Sequence, residues 1–253
     1  MTFAITIFSG CASNSKKQTA LERVKSTGKL VVGVDDTYPP MEYRDESNKL
    51  IGFDTDMTNA IGKKLGVKVE YVPTDFNGIL VALESSKFDT VVSSLSITDE
   101  RKKEIDFSKP YIEGGQIVIV KTSNTSITTP EELKGKTVVV QLGTTGEEAA
   151  AKISGIKEIK KYDKITEAFH DLSIGRTQAM VADMQVGEYY MAKEPGQYKV
   201  LAKKLTSEPL GIGFKKGDVT LEAAVQKALD ELLKDGTLSK LSTTWFGHDI
   251  YKK

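Results

Sequence analysis

The sequence predicts an α/β fold of two similar units, each a largely parallel sheet flanked by helices. Two observations carry this. Short β-branched runs alternate with segments of helical apolar periodicity, and such alternation favours a parallel sheet with helices on its faces. Near residue 114 the same architecture begins again, until a returning strand and two closing helices follow from near residue 208. At 253 residues the chain can bury a large core, as one big domain or as two of ordinary size.

In the first unit "KLVVGV" (29–34) is a strand that ends at "DDTYPPMEY", where two prolines mark a loop. "DTDMTNAIGKKLG" places Met57, Ile61 and Leu65 four apart, with Asp54 at the start and Gly66 after the end: an amphipathic helix with both boundary signals. "VKVEYV" follows as strand, "DFNGILVALESSK" as helix through Ile79, Leu80 and Leu83, and "DTVVSSL" as strand. In such an architecture ligands sit beyond the carboxyl ends of strands, where "DDTYPPM" and "SSLSIT" both fall. The second unit runs through the strands "GGQIVIVK" and "TVVVQLG", the helices "GEEAAAKI" and "DKITEAFHDLSIG", and the strand "QAMVADM". Ile165, Ala168, Phe169 and Leu172 keep i, i+3, i+4, i+7 spacing and Gly175 supplies the stop. "PLGIGFKK" reads as the returning strand, and "TLEAAVQKALDELLKDGTLSKLSTTWFG" as two helices separated at Gly236, with Trp245 packing the last.

Composition narrows the function. Lys plus Arg equals Asp plus Glu at 35 each, so the basic excess of a nucleic-acid binder is missing. Only two histidines occur, His170 and His248, which supports neither a His metal cluster nor a Ser-His-Asp arrangement. "GTTG" lacks the Lys of a phosphate-binding loop, and Lys-rich stretches such as "KKYDK" read as solvated faces. No metal or cofactor is therefore expected.

The single cysteine, Cys11, ends the apolar stretch "AITIFSGC", and the polar "ASNSKKQTA" follows it like a tether. This resembles a bacterial lipobox, whose cysteine becomes lipid-modified and N-terminal after cleavage. Phe8 stands where Leu is usual, and no Lys or Arg precedes the apolar run. The alternative is a cytosolic chain with an apolar start and an incidental thiol. No later apolar run approaches the ~18 residues of a transmembrane helix. The expectation is an extracytoplasmic body held to the membrane surface by lipid.

"VGVDDTYPPMEY", "LIGFDTDM", "TDFNGILVAL", "SSLSITDERKKEIDFSKPY", "QLGTTGE" and "MVADM" resemble, in that order, the motifs of the bacterial extracellular solute-binding proteins, family 3, which capture polar amino acids for ATP-driven importers. The likeness runs from about residue 29 to the C-terminus. It implies a two-lobed, hinged periplasmic-binding-protein-like fold of type II, crossed twice by the chain. Residues 1–20 would be signal, lipobox and tether, 21–114 plus 209–253 the first lobe, and 115–208 the second. It further implies a monomer that hands its ligand to an ABC permease in the membrane.

The physical demand on such a protein is clear. A free amino acid carries a carboxylate and an ammonium, and burying either without a partner costs several kcal/mol. Thr98 reads as an N-cap and Arg101 lies in the first turn of "DERKKEI", so a guanidinium fork and a hydroxyl converge on a spot suited to a carboxylate. The alternative is a capped surface helix with an exposed Arg101. By resemblance, Arg101 takes the α-carboxylate, with hydroxyls of Ser93, Ser94 and Ser96 nearby. The resemblance also points to Thr145 from the opposite lobe, and to Asp183 for the ligand's ammonium. Without it, Thr145 with Glu148 is a plain capping box, and Asp183 caps a turn. Asp35 matches the acidic position that meets the distal group of the ligand. Asp36 and Glu42 add negative charge nearby, and Tyr38 and Phe76 supply ring faces for a long cationic chain. Arginine, lysine, ornithine or histidine fit best, although relatives with the same Asp take glutamine. Tyr38 and Phe76 could equally be core. Two rivals remain: an enzyme on the same fold, a dehydratase or lytic enzyme with Glu42 as general acid, and a sensory module reporting amino acids to a signalling partner.

Overall fold

A computed structural model describes residues 18–252, so Cys11 and the tether up to residue 17 lie outside the described residues. Thr19 and Ala20, which the sequence assigns to the tether, are the N-cap and first residue of helix α1 (Ala20–Thr27). The Thr19 hydroxyl accepts the Glu22 N–H while the Glu22 carboxylate accepts the Thr19 N–H, a reciprocal capping box.

The next elements follow the expected alternation. Strand β1 (Lys29–Val34) leads into a small antiparallel sheet of β2 (Thr37–Tyr38), β3 (Glu42–Arg44) and β4 (Leu50–Ile51). The segment read as plain loop thus carries a short ladder, and Pro39 and Pro40 occupy its turn. Then come α2 (Phe53–Leu65), β5 (Lys68–Pro73), a 3-10 turn at Phe76–Gly78, α3 (Ile79–Glu84) and β6 (Thr90–Val91). A short helix α4 (Arg101–Glu104) precedes β7 (Ile105–Phe107) and β8 (Ile112–Gly114). The second unit holds β9 (Gln116–Lys121), β10 (Thr137–Gln141), α5 (Thr145–Ala151), β11 (Glu158–Tyr162), α6 (Ile165–Ser173), β12 (Ala179–Asp183), α7 (Met184–Lys193) and β13 (Tyr198–Val200). Strands β14 (Glu208–Leu210) and β15 (Gly213–Lys215) return, and α8 (Val219–Lys234) and α9 (Thr237–Phe246) finish the chain's regular structure.

The larger strands form two five-stranded sheets, ordered β5-β1-β6-β15-β7 and β11-β10-β12-β9-β13. In each, three parallel strands are extended on one side by two more, joined through antiparallel pairing. The chain leaves the first sheet through β8 and comes back through β14, and these two crossing strands pair with each other, Leu210 opposite Ile112. The result is a two-lobed α/β fold with both crossings in one two-stranded hinge.

Burial explains why the central strands read as unbroken apolar runs. Every residue of β10 and β12 is buried, and β9 sends Ile117 and Ile119 to one core cluster and Val118 and Val120 to another. Strand β11 differs. Its "EIKKY", read from the sequence only as a solvated face, is the outer strand of the second sheet, and its charges discourage pairing with another chain. Helix α7 has no clear sequence signal because Gly187 interrupts it; a Cβ there would lie 2.5 Å from the Ile117 side chain. Helix α9 is fastened to α2 by Trp245, whose indole N–H donates to Asp56 at 2.9 Å.

Candidate functional site

Where the lobes meet, ten residues enclose a cavity of about 10 Å³: Tyr38, Phe76, Ser93, Ser94, Ser96 and Arg101 from the first lobe, Gln141, Thr144, Thr145 and Asp183 from the second. That is room for roughly one water. The second-lobe groups come from the carboxyl ends of β10 and β12 and the start of α5, and the serines follow the carboxyl end of β6. Parallel strands deliver their ends to one side of each sheet, so two facing sheets bring these three ends together.

Arg101 combines a cap with burial. Its N–H donates to the Thr98 hydroxyl at 3.1 Å, as the capping pattern predicts, yet the residue is only 9% exposed. The surface-helix alternative is thereby removed. Its guanidinium donates to the Ser96 carbonyl at 3.0 Å and, across the cleft, to the Gly143 carbonyl at 3.3 Å. The Phe76 ring lies 5.5 Å from its Cζ. The other three arginines each pair with a carboxylate, at Asp89, Asp36 and Asp171; among the described residues Arg101 has no such pair. Burial lowers its pKa, but a guanidinium remains charged.

Helix α5 is capped one residue earlier than the sequence suggests. Thr144 accepts the Glu147 N–H at 3.2 Å, and the Glu147 carboxylate accepts the Gly143 N–H at 2.8 Å. Thr145 is therefore released from capping, and its hydroxyl lies 3.2 Å from that of Ser96 across the cleft. Gly143, with φ of +78°, approaches Asn77 so closely that a Cβ would fall 2.8 Å from the Asn77 Cα.

Asp183 precedes α7 without capping it. It accepts the Tyr38 hydroxyl at 2.5 Å from the opposite lobe and the Gln116 amide at 2.6 Å from its own. Burial pushes its carboxyl up to about 6, against the opposing pull of these two bonds and of the Arg101 charge. Tyr38 is held well above its ordinary pKa by burial and by the Asp183 charge, so it stays a neutral donor.

Asp35 lies outside the cavity lining. Its carboxylate accepts the Thr37 N–H and hydroxyl at 3.0 and 2.7 Å and, from the opposite lobe, the Gln141 amide at 2.5 Å. Burial raises its pKa. Gln141 and Gln116 escaped the sequence reading. The available signal was a lone glutamine at the end of an otherwise apolar strand, at "TVVVQ" and at "QIVIV", where a buried amide must find partners.

Beneath the serines lies a buried acid pair. The Ser93 hydroxyl accepts the Asp35 N–H at 2.9 Å and donates to Glu42 at 2.8 Å, so it faces inward. Ser94 has φ of +46° and donates its N–H to Asp54, which also accepts the Tyr111 hydroxyl. Glu42 Oε2 and Asp54 Oδ1 find no N–H or hydroxyl donor, and the two carboxyls lie within hydrogen-bonding reach of each other. One proton held by Glu42 satisfies both. Burial, with Asp54 and Asp35 close by, raises Glu42 well above the carboxylate range, and burial brings Asp54 up to about 6. A raised carboxyl stabilises the fold below its unfolded value of about 4, and that contribution, of order 3 kcal/mol for Asp54, is lost as pH rises through about 6. Glu42→Gln supplies a permanent donor in place of the proton. Thermal unfolding across pH 4 to 8 is expected to show this variant no less stable than the parent at pH 7 and less sensitive to pH. An undiminished pH slope would count against the shared proton.

Comparison with known proteins places this geometry. A sequence profile of the bacterial extracellular solute-binding proteins, family 3, matches residues 30–248. The L-cystine-binding protein TcyJ of Escherichia coli (strain K12) is 35% identical over 252 residues, covering 98% of this chain and 94% of that one. An ancestral arginine-binding protein, solved with arginine and with glutamine, is 46% identical with a TM-score of 0.83, covering 87% of this chain and 99% of its own. An ancestral amino acid-binding protein described as a precursor of cyclohexadienyl dehydratase is 42% identical with a TM-score of 0.85, covering 90% and 100%. With a two-lobed hinged fold and a family match over most of its length, the chain belongs to the bacterial extracellular solute-binding proteins, family 3.

Proposed function

We propose that this protein is an extracytoplasmic receptor that closes two lobes, 21–114 plus 209–253 and 115–208, over one amino acid and delivers it to an ABC permease. One observation carries the reading. A buried arginine that has no carboxylate partner among the described residues and a buried aspartate line the same small cavity from opposite lobes, and a zwitterion brings the two complementary charges. Arg101 takes the α-carboxylate with Ser94, Ser96 and Thr145 beside it, and Asp183 takes the ammonium. The ligand exchanges places with two of the bonds that now span the cleft, Tyr38 to Asp183 and Ser96 to Thr145. A cavity of about 10 Å³ admits no amino acid, so the lobes must part for entry and close on the ligand, whose contacts with both favour the closed form. The receptor acts as a monomer, anchored by a lipid on Cys11.

The ligand is a cationic amino acid. Arg101 is the sole cation of the lining, and Asp35, bonded to Gln141 from the opposite lobe, is the carboxylate next to the lining that meets a distal positive group. Glutamine is the second reading, supported by the Gln141 amide and by the ancestral relative solved with either ligand. An enzyme is disfavoured because Glu42, the acid such chemistry would use, lies behind Ser93 and outside the lining. A thermal-shift screen of the twenty amino acids, ornithine and cystine tests the assignment, since a ligand bound only by the folded form raises its melting temperature. The largest shift is expected from arginine, lysine, ornithine or histidine, and Asp35→Asn is expected to reduce that shift more than the shift from glutamine. No shift from any amino acid, or turnover of one detected by mass spectrometry, would refute it.

A further inference from the structure

Asp183 does not stand alone on the end of its strand. In the ladder between β12 and β9 it is directly opposite Gln116, the first residue after the hinge glycine Gly115. The Gln116 side-chain amide reaches two cavity residues at once: Nε2 donates to Asp183 at 2.6 Å and to the Thr145 hydroxyl at 3.0 Å. The orientation of the amide is chemically determined, because a carboxylate only accepts and must face nitrogen. The backbone of Gln116 is pinned as well. Its N–H donates to the Thr206 hydroxyl and its carbonyl accepts the Leu205 N–H, both at 2.8 Å, from the segment that leads into the return crossing. The first turn of α5 closes over the amide; a Cβ on Gly146 would fall 2.8 Å from Gln116 Oε1.

We infer that Gln116, which is outside the cavity lining, is a positioning residue that aims Asp183 and Thr145 together, so the two ends of the bound zwitterion are held by one amide. This rests on the proposed role of Asp183 as acceptor of the ammonium. It also has an electrostatic side. Asp183 is fully buried and faces Tyr38, Gln116, Arg101 and the negative Glu208. Burial and Glu208 favour its protonated form, and the Gln116 donor favours the ionised one. An ammonium needs the ionised form. Without the amide, Asp183 keeps its proton to higher pH, and binding is lost at pH values where the parent still binds.

The test uses Gln116→Met, which keeps length and removes the donor, and Gln116→Glu, close in shape, which sets a second carboxyl beside Asp183. Carbon-13 NMR of aspartate-labelled protein, with the Asp183 resonance assigned by its loss in Asp183→Asn, gives the titration midpoint without any ligand. The midpoint is expected near 6 in the parent and at least about one unit higher in both variants. Calorimetry with arginine and with glutamine between pH 6 and 8.5 should then show losses of at least about fivefold at pH 6 that shrink as pH rises. An unmoved midpoint, or a loss equal at every pH, overturns the inference. A raised midpoint in a protein whose parent form binds no amino acid instead leaves the coupling of Gln116 to Asp183 standing and overturns the functional reading.

Discussion

Replacing Arg101 with alanine is expected to weaken amino-acid binding by about 2 to 5 kcal/mol, roughly 30-fold to several thousandfold in affinity. The size follows from burial. The ligand's α-carboxylate enters a cleft walled by Phe76 and the serines, with no other cation in the lining to receive it. The variant leaves that charge desolvated and unpaired, which costs more than the pair was worth. Arg101→Lys is expected to recover part of the loss, since a point charge restores attraction but not the two-pronged grip. Calorimetry on the three proteins checks this. Equal affinity in Arg101→Ala would remove the carboxylate assignment.

Asp183→Asn carries the second large effect, again about 2 to 5 kcal/mol, and a distinctive pH signature. In the lobe-contacting arrangement Asp183 titrates at about 6. Below that value the parent binds an ammonium ever less well, by up to about tenfold per unit. The asparagine variant has no proton to gain there, so its weaker affinity should be flat over the same range. It should also lose most of the preference for an amino acid over the same molecule lacking its amine. A parallel decline in both proteins would locate the titrating group elsewhere, with Asp35 and Asp54 the next buried carboxyls in line.

The order of strands and helices is legible in the sequence because sheets buried on both faces demand continuous apolar runs and the helices against them demand a 3.6-residue stripe. Where burial is one-sided the signal fails. Strand β11 looks like solvent because half of it is, and α7 is masked by the glycine that lets it approach β9. The site is legible as residue types at strand ends, and Arg101, Thr145 and Asp183 reach one cavity from three separate stretches of chain. What linear order conceals is which donor serves which acceptor. Thr145 became free only because Thr144 took the cap, and Ser93 turns inward because Glu42 holds an acceptor there. Such partnerships depend on cross-strand register, which periodicity does not specify.

Strand β15 fits between β6 and β7 in the first sheet, so β7 has no partner there and β6 has only β1 until residues 213–215 have been synthesised. This topology delays completion of the N-terminal half-molecule until almost the whole polypeptide has been made, while the uninterrupted middle portion can assemble first.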